Sequence, residues 1–213
     1  MIRFKIPNHD WELVRRLSHR PDGIKSKLWE RTSGPIRRFK DDLTALLMVE
    51  QQRCCAYCMS YLHEDHPARD HIAPKKEYPA WTFRPDNLVL ACYACNTDRK
   101  DDYDPIAVRH RKYRRCKFTI VHPYFDRPEA HLDYASDGVK RGILISGITM
   151  KGRETIRVFD LMSPARAKQR AADAILADVP NRLQQRFMDL YASVIQARAP
   201  LKPAVKIAPT VQD

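Results

Sequence analysis

A chain of 213 residues has room for one ordinary domain with an appendage, and 44% hydrophobic residues argue against disorder along most of it. Lysine and arginine number 38 against 26 aspartates and glutamates, a formal charge of +12, which suits a polyanionic partner because neutralised phosphates release counterions. The apolar runs, such as residues 45–49, are too short to span a bilayer and no secretory leader is evident, so membrane, secreted-disulfide and collagen-like classes are excluded and a cytoplasmic location is expected.

The first fifty residues read as helical. Asp10 is a candidate N-cap for a short helix carrying Trp11, Val14 and Leu17. Pro35, as a first-turn proline, opens a longer helix in which Ile36, Phe39, Leu43, Leu46 and Leu47 form one apolar face, running to about Gln52. Between residues 54 and 103 the apolar content breaks into short pieces separated by Pro67, Pro74, Pro79 and Pro85. Such a stretch buries too little to hold itself together, and a bound metal would supply the missing stability. Residues 118–121, 142–148 and 155–159 are rich in β-branched side chains and read as short strands, with Asp137-Gly138 as a turn. Ser163-Pro164 starts a helix, Asn181 caps a last one, and the prolines after Ala199 mark a flexible tail. The expected class is α+β: a helical region over 1–53, a core over 54–103, an accessory region of short strands and two helices over 104–198, and a tail over 199–213.

The six cysteines are uneven: Cys54, Cys55 and Cys58, then Cys92 and Cys95, then Cys116 alone. Two Cys-x-x-Cys pairs in such a chain read as a tetrahedral zinc site, with Cys55, Cys58, Cys92 and Cys95 as ligands. Cys54 competes with Cys55 for the first position. Cys54 and Cys116 otherwise serve packing, and His63-x-x-His66 reads as surface, since four thiolates already close a site.

Chemistry should sit in the insert between the pairs. It holds Asp70-His71-Ile72-Ala73-Pro74 and Asn87-Leu88-Val89-Leu90, and Asn96 follows the last cysteine. A carboxylate beside a histidine offers a hard oxygen ligand and a near-neutral base, and the amide oxygen of Asn96 suits a hard ion such as Mg²⁺.

This ordered set resembles the HNH endonucleases, with their ββα-metal fold and accompanying zinc knuckles, over about a quarter of the chain. The resemblance implies a DNA phosphodiesterase. In it, His71 is the general base for water, Asp70 and Asn96 hold one Mg²⁺ (or Mn²⁺), and Asn87 holds the loop and orients the histidine. It also implies 5′-phosphate and 3′-hydroxyl products, with Lys75, Lys76, Arg84, Arg99 and Lys100 placed to contact phosphates.

The segment from Val121 to Pro128 with His131 is similar to the C-terminal part of HNH proteins of the PtuB group in Septu and retron antiphage systems. That likeness implies an ABC-type ATPase subunit (PtuA-like) as partner. His122 and His131 are expected to brace the strand layer. Two other readings stay open: a zinc-stabilised nucleic-acid or partner-binding module without catalysis, and a toxin-type nuclease held by an immunity partner.

Overall fold

The computed structural model describes residues 3–5, 14, 16–17, 20–62, 67–135 and 143–178. The chain divides into two units, Met1–Ala174 and Ile175–Asp213. The elements belong to the first unit, except that the last described residues, 175–178, fall in the second. The expected helix from Asn181, the tail, the Asp137-Gly138 turn, the Asp10 cap and both histidines of His63-x-x-His66 lie outside the described residues.

The fold is α+β, with short antiparallel strands and helices around them. Helix α1 (Asp22–Trp29) lies within the region expected to be helical but was not singled out from the sequence. It is eight residues long and its second position is a glycine, so its apolar signal is slight. Helix α2 (Gly34–Glu50) starts one residue earlier than expected: Ser33 is the N-cap, and Pro35 is the second helical residue. Its buried face is Ile36, Phe39, Leu43 and Leu47.

The central hairpin pairs β1 (Ala68–His71) with β2 (Leu88–Ala91) antiparallel, in the register Asp70↔Val89 and His71↔Leu88. All four residues of β2 are buried. A buried side chain, Gln51 at the end of α2, treats β2 as a neighbouring strand would. Its Nε2 donates to Leu90 O at 2.9 Å, and its Oε1 accepts from Leu90 N at 2.8 Å. Satisfying these backbone groups ties helix to hairpin where an unpaired polar group would be costly. After β2 the chain winds into a π-type helical segment, Ala94–Lys100.

Two smaller hairpins come next: β3 (Ile106–Val108) with β4 (Lys117–Phe118), and β5 (Leu132–Ala135) with β6 (Leu144–Gly147). Strand β6 falls inside the expected strand 142–148. Within the expected strand 118–121, only Phe118 pairs; Ile120 and Val121 are buried in irregular chain. The strand expected over 155–159 is instead part of helix α3 (Met150–Phe159). Its β-branched composition misleads, while the buried Gly152, Thr155, Val158 and Phe159 fall at helical spacing. Thr149 caps α3 by accepting from Gly152 N, and a Cβ on Gly152 would meet His131 O at 1.8 Å, so only glycine lets α3 approach the turn that leads into β5. Helix α4 (Pro164–Asp178) begins where Ser163-Pro164 predicted. Among the described residues no helix is long and apolar enough to cross a membrane.

Candidate functional site

The thiolate cluster comes first. Helix α2 ends in a turn where Gln52 and Arg53 take positive φ (50° and 56°), and Met59 does the same at 63°. Backbone bonds from Cys55 N to Ser60 O (2.8 Å) and Met59 N to Cys55 O (3.0 Å) close the knuckle. The ligand atoms of Cys55, Cys58, Cys92 and Cys95 all lie within 4.8 Å of one another. Among the described residues they are the one group of three or more His, Cys, Asp or Glu arranged so. Cys54 stands outside that group, and its backbone pairs with Tyr61, so the cluster contains Cys55 and not Cys54. The hydrogen bond with Cys55 draws the Cys58 thiol down to about 7, and bonds with Cys55, Cys58 and Cys95 hold Cys92 below the ordinary thiol range, while burial pushes Cys55 up and the bond with Cys55 pushes Cys95 up. Four sulfurs gathered this closely fit a tetrahedral Zn²⁺. Cys116 packs apart, its sulfur accepting from His110 N at 3.3 Å.

Strand β1 carries the next residues. Successive side chains of a strand point to opposite faces, and Asp70 and His71 are buried against different neighbours. His71 is 7% exposed and lies 4.5 Å edge-on from the Trp29 ring, so α1 forms one wall of its pocket. Its Nε2 is 2.9 Å from Thr82 O. A carbonyl can only accept, so Nε2 carries the proton and the lone pair of the neutral ring sits on Nδ1. Burial outweighs that hydrogen bond and pushes the histidine down to about 3, which keeps it neutral at ordinary pH.

Asp70 is 6% exposed, and both its oxygens are engaged. Oδ2 accepts from the Tyr57 hydroxyl, and Oδ1 is 3.1 Å from Lys100 Nζ. Lys100, 2% exposed, also donates to His71 O at 2.8 Å. Both oxygens of Asp70, one of the two expected Mg²⁺ or Mn²⁺ ligands, thus have protein partners. Asn96 is half-buried and its amide donates to Thr97 Oγ1 at 3.4 Å; among the described residues no hydrogen bond joins it to Asp70.

Asn87 is fully buried and works on the loop after His71. Its Oδ1 accepts from Ala73 N at 2.7 Å, and its Nδ2 donates to Ala73 O at 3.1 Å and Trp81 O at 3.2 Å. Oδ1 also accepts from the Tyr113 hydroxyl at 2.8 Å. The network continues to His122, whose Nε2 is 3.0 Å from the same hydroxyl and whose Nδ1 accepts from Tyr124 N at 3.2 Å. Nε2 is thus the protonated nitrogen of a buried, neutral ring. His122 is held well below its usual range by burial first. Tyr113 and Gln51 were missed by sequence reasoning, and a lone tyrosine in a basic run gives no signal.

Most of the cations expected to contact phosphates are engaged by carboxylates. Lys75 is 2.7 Å from Glu30, Arg84 is bidentate on Asp86 at 2.9 and 2.8 Å, and Arg99 is 2.8 Å from Asp160. Lys76 is exposed. Lys100 is not a surface contact at all: it is buried in the ion pair with Asp70. A separate basic cleft of about 480 Å³ is lined by Arg84, Arg111, Lys112, Arg114 and Arg115, with Trp81 and Tyr113. Arg84 lies over the Tyr113 ring at 5.5 Å, so this cleft is registered to the loop that Asn87 holds.

The α3–α4 segment docks on the same core. Phe159 stacks on Tyr57 with ring centroids 4.0 Å apart, which fixes the tyrosine that bonds Asp70.

A family model for HNH endonuclease matches residues 55–102. The chain is also 23% identical over 168 residues to the Septu protein PtuB of Bacillus mycoides (strain KBAB4). The alignment covers 69% of this chain and 56% of that protein, so the chain spans about half the length of the curated relative it matches. The knuckles, the β1–β2 hairpin and the helical segment after it fall within residues 55–102, the stretch that matches the HNH endonuclease model, in a chain similar to the Septu protein PtuB.

Proposed function

We propose that the chain is an endonuclease that hydrolyses DNA phosphodiester bonds, with His71 as the base, and that it serves as the nuclease of a Septu-type antiphage system beside an ABC-type ATPase subunit. One observation carries the reading: inside the segment that matches the HNH model, His71 is held neutral with its free lone pair on Nδ1 by the bond to Thr82 O. A neutral imidazole of fixed tautomer can take a proton from water as the oxygen attacks phosphorus in line. In the free chain its basicity is low because the ring is buried; a phosphodiester anion arriving beside the ring favours the imidazolium and strengthens the base when it is needed. Asn87 keeps the loop after His71 in place, acting as a positioning residue. Lys100 and Tyr57 hold Asp70 from the opposite side of β1.

HNH domains are metal-dependent, and the requirement for Mg²⁺ or Mn²⁺ is read from cleavage with each ion and with chelator. The basic cleft beside Tyr113 supports a path for the phosphate backbone. End-labelled duplex DNA incubated with the chain should yield 5′-phosphate and 3′-hydroxyl ends, and other ends would contradict water attack with a 3′ leaving oxygen. For the defence role, cells carrying this gene together with a cognate ABC-type ATPase gene should resist phage, and resistance should vanish with His71→Ala.

The engagement of both Asp70 oxygens favours one second reading: a zinc-stabilised module that binds DNA or a partner without cutting. Retained phage resistance in His71→Ala would favour it.

A further inference from the structure

Helix α4 begins at Pro164, and its third residue reaches back onto the cysteine knuckles. The Arg166 guanidinium lies across them: Nη1 is 3.0 Å from Cys58 Sγ and 3.2 Å from Ser60 Oγ. Nη2 is 3.4 Å from Cys95 Sγ and 3.7 Å from Cys92 Sγ. One side chain thus donates toward three of the four sulfurs. Arg170, one turn on, is 9% exposed, donates from Nε to Ile143 O at 2.7 Å, and lies within electrostatic reach of Cys58.

The charge balance gives this a consequence. Four thiolates with one Zn²⁺ leave two negative charges at a site where Cys55 and Cys95 are buried. An uncompensated charge of that kind is expensive in a protein interior. Two guanidinium groups on one face of α4 offset it. Groups that bond metal-bound ligands tune both the metal's hold and the ligands' reactivity. A guanidinium suits the task better than an ammonium because its fixed fork can serve several acceptors at once.

We propose that Arg166 is the residue that locks the zinc site, so that metal occupancy and the docking of α4 are coupled: the helix seats on the tetrathiolate, and the guanidinium slows loss of the metal and shields the sulfurs from electrophiles. The inference rests on the zinc reading of the four cysteines. It lies outside residues 55–102 and extends the zinc site into the accessory region.

The test uses the full chain as purified, with Arg166→Gln and Arg166→Lys. Zinc content is measured first. Wild type and both variants should carry about one zinc per chain; a wild type with none overturns the zinc reading and this coupling together. Release to a chromogenic chelator should then be about tenfold faster or more in Arg166→Gln. Arg166→Lys should resemble Arg166→Gln more than wild type, since a point charge cannot span three sulfurs. Thiol modification of the cluster should accelerate in parallel, and amide exchange over residues 164–174 should rise in Arg166→Gln while that over β2 stays slow. Zinc bound normally in wild type, with unchanged release and unchanged exchange in Arg166→Gln, overturns the coupling while leaving the zinc site standing.

Discussion

Lys100 Nζ and Asp70 Oδ1 are 3.1 Å apart with both side chains buried, and the same ammonium donates to the backbone oxygen of His71. The pair pins the π-wound segment after the second knuckle to the strand that carries His71. Buried ion pairs add little net stability, but removing one partner leaves a lone buried charge. Asp70→Asn or Lys100→Met alone should each lower stability by about 3–5 kcal/mol. The double variant should regain a large part of that loss, as measured by urea unfolding in a double-mutant cycle. Strictly additive losses would mean the two charges do not depend on each other.

Tyr113→Phe tests the link from the basic loop to the hairpin. It removes the donor to Asn87 Oδ1 and the partner of His122 Nε2, leaving the latter buried and unpaired. The expected loss is about 1–3 kcal/mol. Asn87→Ala strips both backbone groups of Ala73 as well and should cost more and abolish cutting. Equal stability of Tyr113→Phe and wild type by thermal melting would show that the hydroxyl does not join the two.

Acid should unfold the chain through its histidines. His71, lowered to about 3, and His122, lowered well below 6.5, both bind protons more readily unfolded than folded. For groups with a depressed folded value, stability is present above the unfolded value near 6.5 and is lost as pH falls toward the folded one. Urea midpoints should therefore decline from pH 6.5 toward 3. His122→Gln should flatten part of that decline while its zinc content stays unchanged. A midpoint in the variant that follows wild type throughout would assign the decline to other groups.

The basic cleft should govern affinity without sequence preference. Arg111 and Arg115 are exposed and line it together with Arg84. In a His71→Ala background, expected to bind without cutting, Arg111→Glu with Arg115→Glu should weaken binding to duplex DNA. The slope of log K against log salt should flatten by about two, one for each phosphate that is no longer neutralised. An unchanged slope would move the nucleic-acid path elsewhere, and an acidic protein that still bound would make the cleft a partner surface.

Much of the core was legible because two Cys-x-x-Cys pairs stand out at their fixed spacing and the apolar face of α2 repeats clearly. Asp70-His71 and Asn87 drew attention only as members of an ordered set between those pairs. What was missed depends on tertiary partners. Residues 155–159 look like a strand until Gly152 and His131 show that a helix packs there. Lys100 reads as a surface cation because nothing in the chain order says that Asp70 and Tyr57 will enclose it. Arg166 reaches the cysteine cluster only through a fold that returns α4 to the first knuckle, 108 residues away in sequence.

The role of His71 is tested most directly by plasmid cleavage with wild type and His71→Ala, each with Mg²⁺ or Mn²⁺ and with chelator, at matched zinc content and matched circular dichroism. Wild type should cut with the divalent ion, and His71→Ala should fall by at least about a hundredfold, the share of a positioned base. Cutting by a folded, zinc-loaded His71→Ala at the wild-type rate would contradict the assignment of His71 as the base.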